Sequence, residues 1–171
     1  MHQSLREGGP IELFSIVGQK AKARKNFIWN NYAATVGGKN STLLQLTPSD
    51  EYPLVEKTKL DVGHYYRPRA NNFLAVNSLL LSSPNESPIL LMFQMTRAKG
   101  DHGVSERGLN KIAELGLPSG TRKYYVVVTP RDRQPRITAS VSHFKAGEKP
   151  GQVFPVFHYP IHEDRLFDRP N

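Results

Sequence analysis

The sequence contains no cysteine, which rules out disulfide staples, zinc–thiolate sites and cysteine nucleophiles. This absence fits a reducing compartment, so the expected location is the nucleus or cytoplasm. No apolar run approaches the roughly 20 residues that span a bilayer, and the polar start Met1-His2-Gln3-Ser4-Leu5-Arg6 lacks the apolar stretch of a secretory signal. A membrane partner is not expected. Acidic side chains are also scarce: 15 Asp and Glu stand against 23 Lys and Arg, leaving a net charge of +8. Such an excess favours a polyanionic partner, DNA or RNA, although a generally basic surface gives the same balance. The charge falls in short clusters: Lys20 to Lys25, Arg67-Pro68-Arg69, Arg122-Lys123, and Arg131 to Arg136.

What is present suits one domain, since 171 residues can bury a core without metal or disulfide support. Residues 1–9, with Gly8-Gly9 and little apolar material, are expected to form a flexible arm before a single domain over 10–171. From Pro10, a good first helical residue, Ile11, Phe14, Ile16, Val17 and Ala21 lead towards Phe27, Ile28, Trp29 and Tyr32 at mostly helical spacing. One broken helix or two short ones fit, ended by Gly37-Gly38. Thr42 to Leu46 and Tyr52 to Leu60 read as short strands. Two apolar runs, 73–81 and 89–96, separated by Pro84 to Pro88, read as a hairpin of strands buried on both faces. Ser105 caps a helix from Glu106, with Leu109, Ile112, Ala113 and Leu115 on its apolar face before Gly116 and Pro118. Tyr124 to Thr129 is a further buried strand, so the helix between 89–96 and 124–129 predicts a crossover. Residues 131–171 read as an irregular extension, with one strand candidate at Val153 to Phe157, that covers a sheet edge or meets a partner.

Polar residues interrupt the apolar strands. Asn77 ends one run, and Gln94 and Thr96, two apart, face one side of the next while Phe93 and Met95 face the other. Two readings are open: a site, or a strand end reaching solvent or a backbone edge. His102 reads as a capping or surface histidine or as a catalytic one. His64, His143, His158 and His162 show no metal-ligand spacing. Glu12 reads as a peripheral acidic group or as a solvated glutamate.

The stretch Tyr66 to Ser78, then Phe93-Gln94-Met95-Thr96 with His102, Gly108-Leu109 and Ile112, then Tyr124 to Pro130, resembles the restriction-endonuclease-like PD-(D/E)XK domains of eukaryotic Crinkler and retrotransposon-hot-spot proteins. The motifs cover roughly a third of the chain, with the core over 66–130. The resemblance implies an α/β fold: a restriction-endonuclease-like core with a central mixed sheet, flanked by an N-terminal helix and a crossover helix. It also implies a divalent metal, Mg²⁺, held by acidic residues on two neighbouring strands, and a lysine that positions or activates water for phosphodiester hydrolysis. The two metal positions fall on Asn77 and Gln94, and the lysine position on Thr96. None carries its usual charge. Lys99 is a candidate displaced amine, with Asp101 and His102 nearby in sequence. The catalytic candidates are thus Asn77, Gln94, Thr96, Lys99 and His102. The candidate phosphate contacts are Arg67, Arg69, Lys99, Arg131 and Arg133. These substitutions imply a nucleic-acid-binding domain that cuts weakly or not at all. An active Mg²⁺-dependent nuclease and a non-enzymatic effector or protein-interaction module are the alternatives.

Overall fold

The computed structural model describes residues 2–20, 26–35, 38–69, 75–97, 102–135, 137–140 and 154–162. The α/β expectation holds in its coarse form: a curled, mixed, strand-rich sheet carries few helices. Side by side in it lie β8 (Ser78–Ser82), β9 (Ile89–Met95) and β11 (Arg122–Pro130), strands that the apolar runs predict, with helix α2 (Glu106–Ala113) between the last two in sequence. β8 and β9 pair antiparallel around a 3-10 turn at Pro84–Glu86, whereas β11 lies parallel to β9, as a helical crossover requires. All five residues of β8 and all seven of β9 are buried, which explains why their sequences are continuous rather than alternating. Residues 73 and 74 of the first run lie outside the described residues, and β8 itself begins only at Ser78.

α2 starts where its cap demands. The Ser105 hydroxyl accepts the Gly108 N–H at 3.2 Å, and Leu109 and Ile112 are buried against the sheet. Beyond it, Gly116 exchanges backbone bonds with Thr58 and Leu60, tying the helix exit to the segment after β6 (Asp50–Leu54). The strand expected over Tyr52 to Leu60 therefore stops at Leu54. Lys57 takes a left-handed turn, φ 59°, that lets Leu54 and Leu60 enter the same core.

The expected N-terminal helix is not formed. Residues 9–32 instead supply β1 (Gly9–Lys20) and β2 (Asn26–Tyr32), with residues 21–25 outside the described set. β1 buries Ile11 and Leu13 in one core cluster and Ile16 in the other, and its register shifts between Val17 and Gly18. A strand buried on both sides and phase-shifted midway produces i, i+3 spacings without a helix. After β3 (Ala34–Thr35) and β4 (Gly38–Lys39) make a small hairpin, β5 (Ser41–Leu46) returns to pair with Gly9 to Phe14 of β1.

The C-terminal segment is not merely an irregular extension. β13 (Val156–Ile161) inserts between β1 and β11, antiparallel to the first and parallel to the second. Pro155 just before it and Pro160 within it conceal it in the sequence. Pro160 lies past His158, the last residue paired with β1, so its missing N–H is not required by that neighbour. β12 (Ile137–Ser140) pairs with β2 and with β10 (His102–Gly103), while β7 (His64–Pro68) joins β8 to β6. The order across the sheet is β10-β12-β2-β1-β13-β11-β9-β8-β7-β6.

Side chains alternate between two cores. Leu79, Leu81, Leu90, Met92, Tyr125 and Val127 meet Leu109 and Ile112 of α2 on one face. Leu80, Leu91, Phe93, Val126 and Val128 meet Tyr65, Leu13 and Leu46 on the other. Leu5 joins that second cluster, because residues His2–Arg6 form a short helix, α1, instead of a loose arm. At 1 % exposure Leu5 is a core residue. We predict that Leu5→Ala costs about 2–3 kcal/mol in urea unfolding, as for other buried leucines; a change within ~0.5 kcal/mol, typical of an exposed arm, would show that α1 does not cover the sheet.

Candidate nucleic-acid interface

Pairing directions bring many strand ends to one edge of the sheet. β9, β11 and β13 are mutually parallel and end on the same side, Ile161 beside Pro130 and Met95 beside Val128, two residues earlier. β7 runs antiparallel to β8, which places its last residue beside the start of β8, and the first residues of β1 return to the same edge through its antiparallel pairing with β13. Measured along the sheet, the four steps from β13 to β7 cover about 19 Å.

Asn77 and Gln94 meet on this edge. Ser78 pairs with Phe93, and the Asn77 N–H returns to the same Phe93 carbonyl, so the register shifts by one residue there and Asn77 lies alongside the Phe93–Met95 end of β9, next to Gln94. The Asn77 backbone N–H donates to the Phe93 carbonyl at 2.7 Å, and its side-chain Oδ1 accepts the Met95 N–H at 2.6 Å. Asn77 is thus an exposed residue that extends the ladder with its amide. The Tyr125 hydroxyl, fully buried, holds the preceding turn by donating to the Ala75 carbonyl at 2.8 Å. Gln94 is 7 % exposed, and its Oε1 has no hydrogen-bond partner among the described residues. It shares the face of Leu90 and Met92, whereas Phe93 and Met95 face the opposite cluster, as the alternation predicts. Thr96 follows β9, half-buried, and its N–H donates to the Val128 carbonyl.

The remaining catalytic candidates are placed less fully. Lys99 lies outside the described residues, as does Asp101. His102 sits in β10, paired with β12 and not with the Asn77–Gln94 row, and its side chain is outside the described set. Among the described residues no group of three or more His, Asp or Glu side chains is placed to hold a metal ion. The donors that are described fit Mg²⁺ poorly: Asn77 and Gln94 are neutral, and one lone pair of the Asn77 oxygen already accepts a peptide N–H.

The basic candidates reach the same edge. Arg69 follows β7, whose Pro68 falls opposite Asn77 when the β7–β8 register is continued. Arg131 leaves β11 with its N–H donating to the Ile161 carbonyl at 2.8 Å, and the Arg133 guanidinium donates to the Arg97 carbonyl, closing the turn over the end of β9. Arg67 is different. It lies 3.5 Å from Glu51, which is also 3.5 Å from Arg6, so its charge is partly answered at the surface.

A buried polar chain under this turn gave no signal in the sequence. His158 is 1 % exposed, and its Nδ1 lies 2.6 Å from the Tyr32 hydroxyl while Nε2 lies 2.9 Å from Thr129 Oγ1. The Thr129 hydroxyl proton is directed to a carbonyl, Pro130 at 3.0 Å or Arg133 at 3.1 Å. Thr129 must then accept from His158 Nε2–H, and Nδ1 must accept from Tyr32. The chain is complete with a neutral imidazole, and it fastens β2, β13 and β11 to the turn that carries Arg131 and Arg133. Burial, with a smaller push from the Lys39 ammonium, brings the His158 pKa down to about 4. Lys39 itself stacks 4.1 Å over the Tyr32 ring, and burial raises the Tyr32 pKa.

No protein-family model matches the chain, and neither curated proteins nor solved structures yield a match. No described helix is long and apolar enough to cross a membrane.

The folded His158 pKa lies below its unfolded value near 6.5, so between these values the unfolded chain takes up a proton that the native state refuses. The His158 contribution is intact above pH 6.5, falls as pH drops to about 4, and levels off below. The total loss is about 3 kcal/mol. Denaturant titrations from pH 7 to 4 should show this component in the wild type and not in His158→Gln; parallel pH profiles would refute the neutral-imidazole assignment.

Proposed function

We propose that the chain is a nucleic-acid-binding domain built on a nuclease-like core in which cutting is weak or lost. The observation that carries this reading is the juxtaposition of Asn77 and Gln94 at the sheet edge where arginines converge. A meander of β7, β8 and β9, followed by α2 and parallel β11, supports the restriction-endonuclease-like comparison. In that comparison the two neighbouring positions would hold the metal. Here both are amides, so the edge retains groups that can bind sugar and phosphate but lacks the negative charge that recruits Mg²⁺ and activates water.

The arginines supply the binding term. Arg69, Arg131 and Arg133 lie along an edge long enough to meet several successive phosphates, and each phosphate neutralised releases counterions. Phosphate contacts would position the strand, while the exposed amide of Asn77 offers a hydrogen-bonding group in the same row, beside the buried Gln94. Magnesium-dependent cutting by the unaltered chain would favour the active-nuclease alternative. Salt-insensitive behaviour would favour a protein-interaction module.

Fluorescence anisotropy with labelled DNA and RNA, repeated across a salt series, tests the reading. We expect binding whose logarithm falls linearly with the logarithm of salt concentration. Reversing Arg69, Arg131 and Arg133 to Glu should reduce affinity at least about tenfold and flatten the slope by roughly three contacts. Unchanged affinity in the triple variant, with the fold intact by circular dichroism, would defeat the proposed interface.

A further inference from the structure

Beside the arginine edge, where β1 begins and β13 ends, a cleft of about 460 Å³ opens between these two strands, with Ser4 and Leu5 of α1 among its lining residues. Its volume falls within the range of small-molecule sites. Leu5 forms part of the wall, and of the two aromatic residues that line it Phe14 lies on the same sheet face as Glu12, whereas Tyr159 packs with Leu5 against the opposite core. Glu12 and Arg131 also line it, one acidic and one basic, yet no ion pair joins them or ties either to another described side chain. Opposite charges sharing a cleft without pairing complement a ligand that presents a hydrogen-bond donor edge and an anion at a distance from each other. Phe14, on the same face as Glu12, adds a surface for a flat, stackable body between those ends.

We propose that this cleft binds an unpaired guanine nucleotide. The assignment rests on the nucleic-acid reading above and narrows it to single strands, because base pairing would hide the edge that Glu12 reads. Guanine offers N1–H and N2–H side by side, and a carboxylate accepts both. Uracil offers one N–H flanked by carbonyl oxygens, which a carboxylate repels. Stacking against Phe14 accommodates any base, so selectivity falls to Glu12. Arg131 takes the phosphate, and its position in the turn after β11 joins the cleft to the phosphate-binding edge. Sequence reasoning set Glu12 on a helix; on β1 its side chain is delivered instead to the end of the parallel strands.

Titration calorimetry on the full chain with GMP, UMP and guanosine tests this directly, alongside anisotropy with a single-stranded oligonucleotide. GMP should bind at least about tenfold more tightly than UMP, the discrimination a good bidentate contact confers. Glu12→Gln should abolish that preference, and Arg131→Ala should erase the advantage of GMP over guanosine. Equal binding of GMP and UMP, no GMP binding at millimolar concentration, or a preference that survives Glu12→Gln would each overturn the cleft assignment. If the oligonucleotide still binds with a steep salt dependence in those cases, the wider nucleic-acid reading stands and only the guanine cleft falls. If it also fails to bind, both fall.

Discussion

The register of β8 against β9 governs the rest of the molecule. A slip of one residue would exchange the side chains that face α2 with those that face α1 and β1, and would separate Asn77 from Gln94. In a half-exposed strand, alternation of polar and apolar residues prevents such a slip. Here both strands are apolar on both faces, so alternation gives little guidance, and polar pins are needed instead. The Asn77 side chain locks onto the Met95 N–H, Tyr125 holds the Ala75 carbonyl, and the Pro84–Glu86 turn sets the loop length. Asn77 therefore has a structural duty at the position where the proposed function places it.

The same economy of polar groups recurs one strand pair away. Tyr32, His158 and Thr129 form a chain that is satisfied in one direction only while the imidazole is neutral. It ties the turn bearing Arg131 and Arg133 to the sheet interior. Charge on the outside of the edge is thus held in position by neutrality beneath it. The guanidinium of Arg133 completes the arrangement by reaching the Arg97 carbonyl at the end of β9.

Local signals made α2 and the hairpin of β8 and β9 legible, because a Ser105 cap, a helical apolar stripe and two long apolar runs each describe one element completely. β1 was not legible. Ile11 and Leu13 obey a period of two, but Phe14, Ile16 and the shift at Val17 overlay a second face and a new phase, which together imitate a helix. β13 was obscured by prolines tolerated only because its pairing with β1 ends at His158. For the candidate site, the apolar strands pointed to Asn77 and Gln94, since polar groups there must be satisfied. The His158 chain left no comparable mark: Tyr32 and His158 are 126 residues apart, and only the finished sheet brings them together. The cleft of Glu12 and Arg131 was hidden for the same reason, with Glu12 placed on a helix that does not exist.

Metal affinity at the neighbouring amides tests the central claim most directly. Titration of Mn²⁺ into the unaltered chain and into Asn77→Asp/Gln94→Glu, followed by electron paramagnetic resonance, reports whether the two positions share a site. The double variant keeps an acceptor for the Met95 N–H and adds two carboxylates to the row, so it should gain a Mn²⁺ site at least about tenfold tighter than anything in the original chain. Equal, weak binding in both proteins, with the fold preserved, would mean that Asn77 and Gln94 do not converge on one site and would contradict the account.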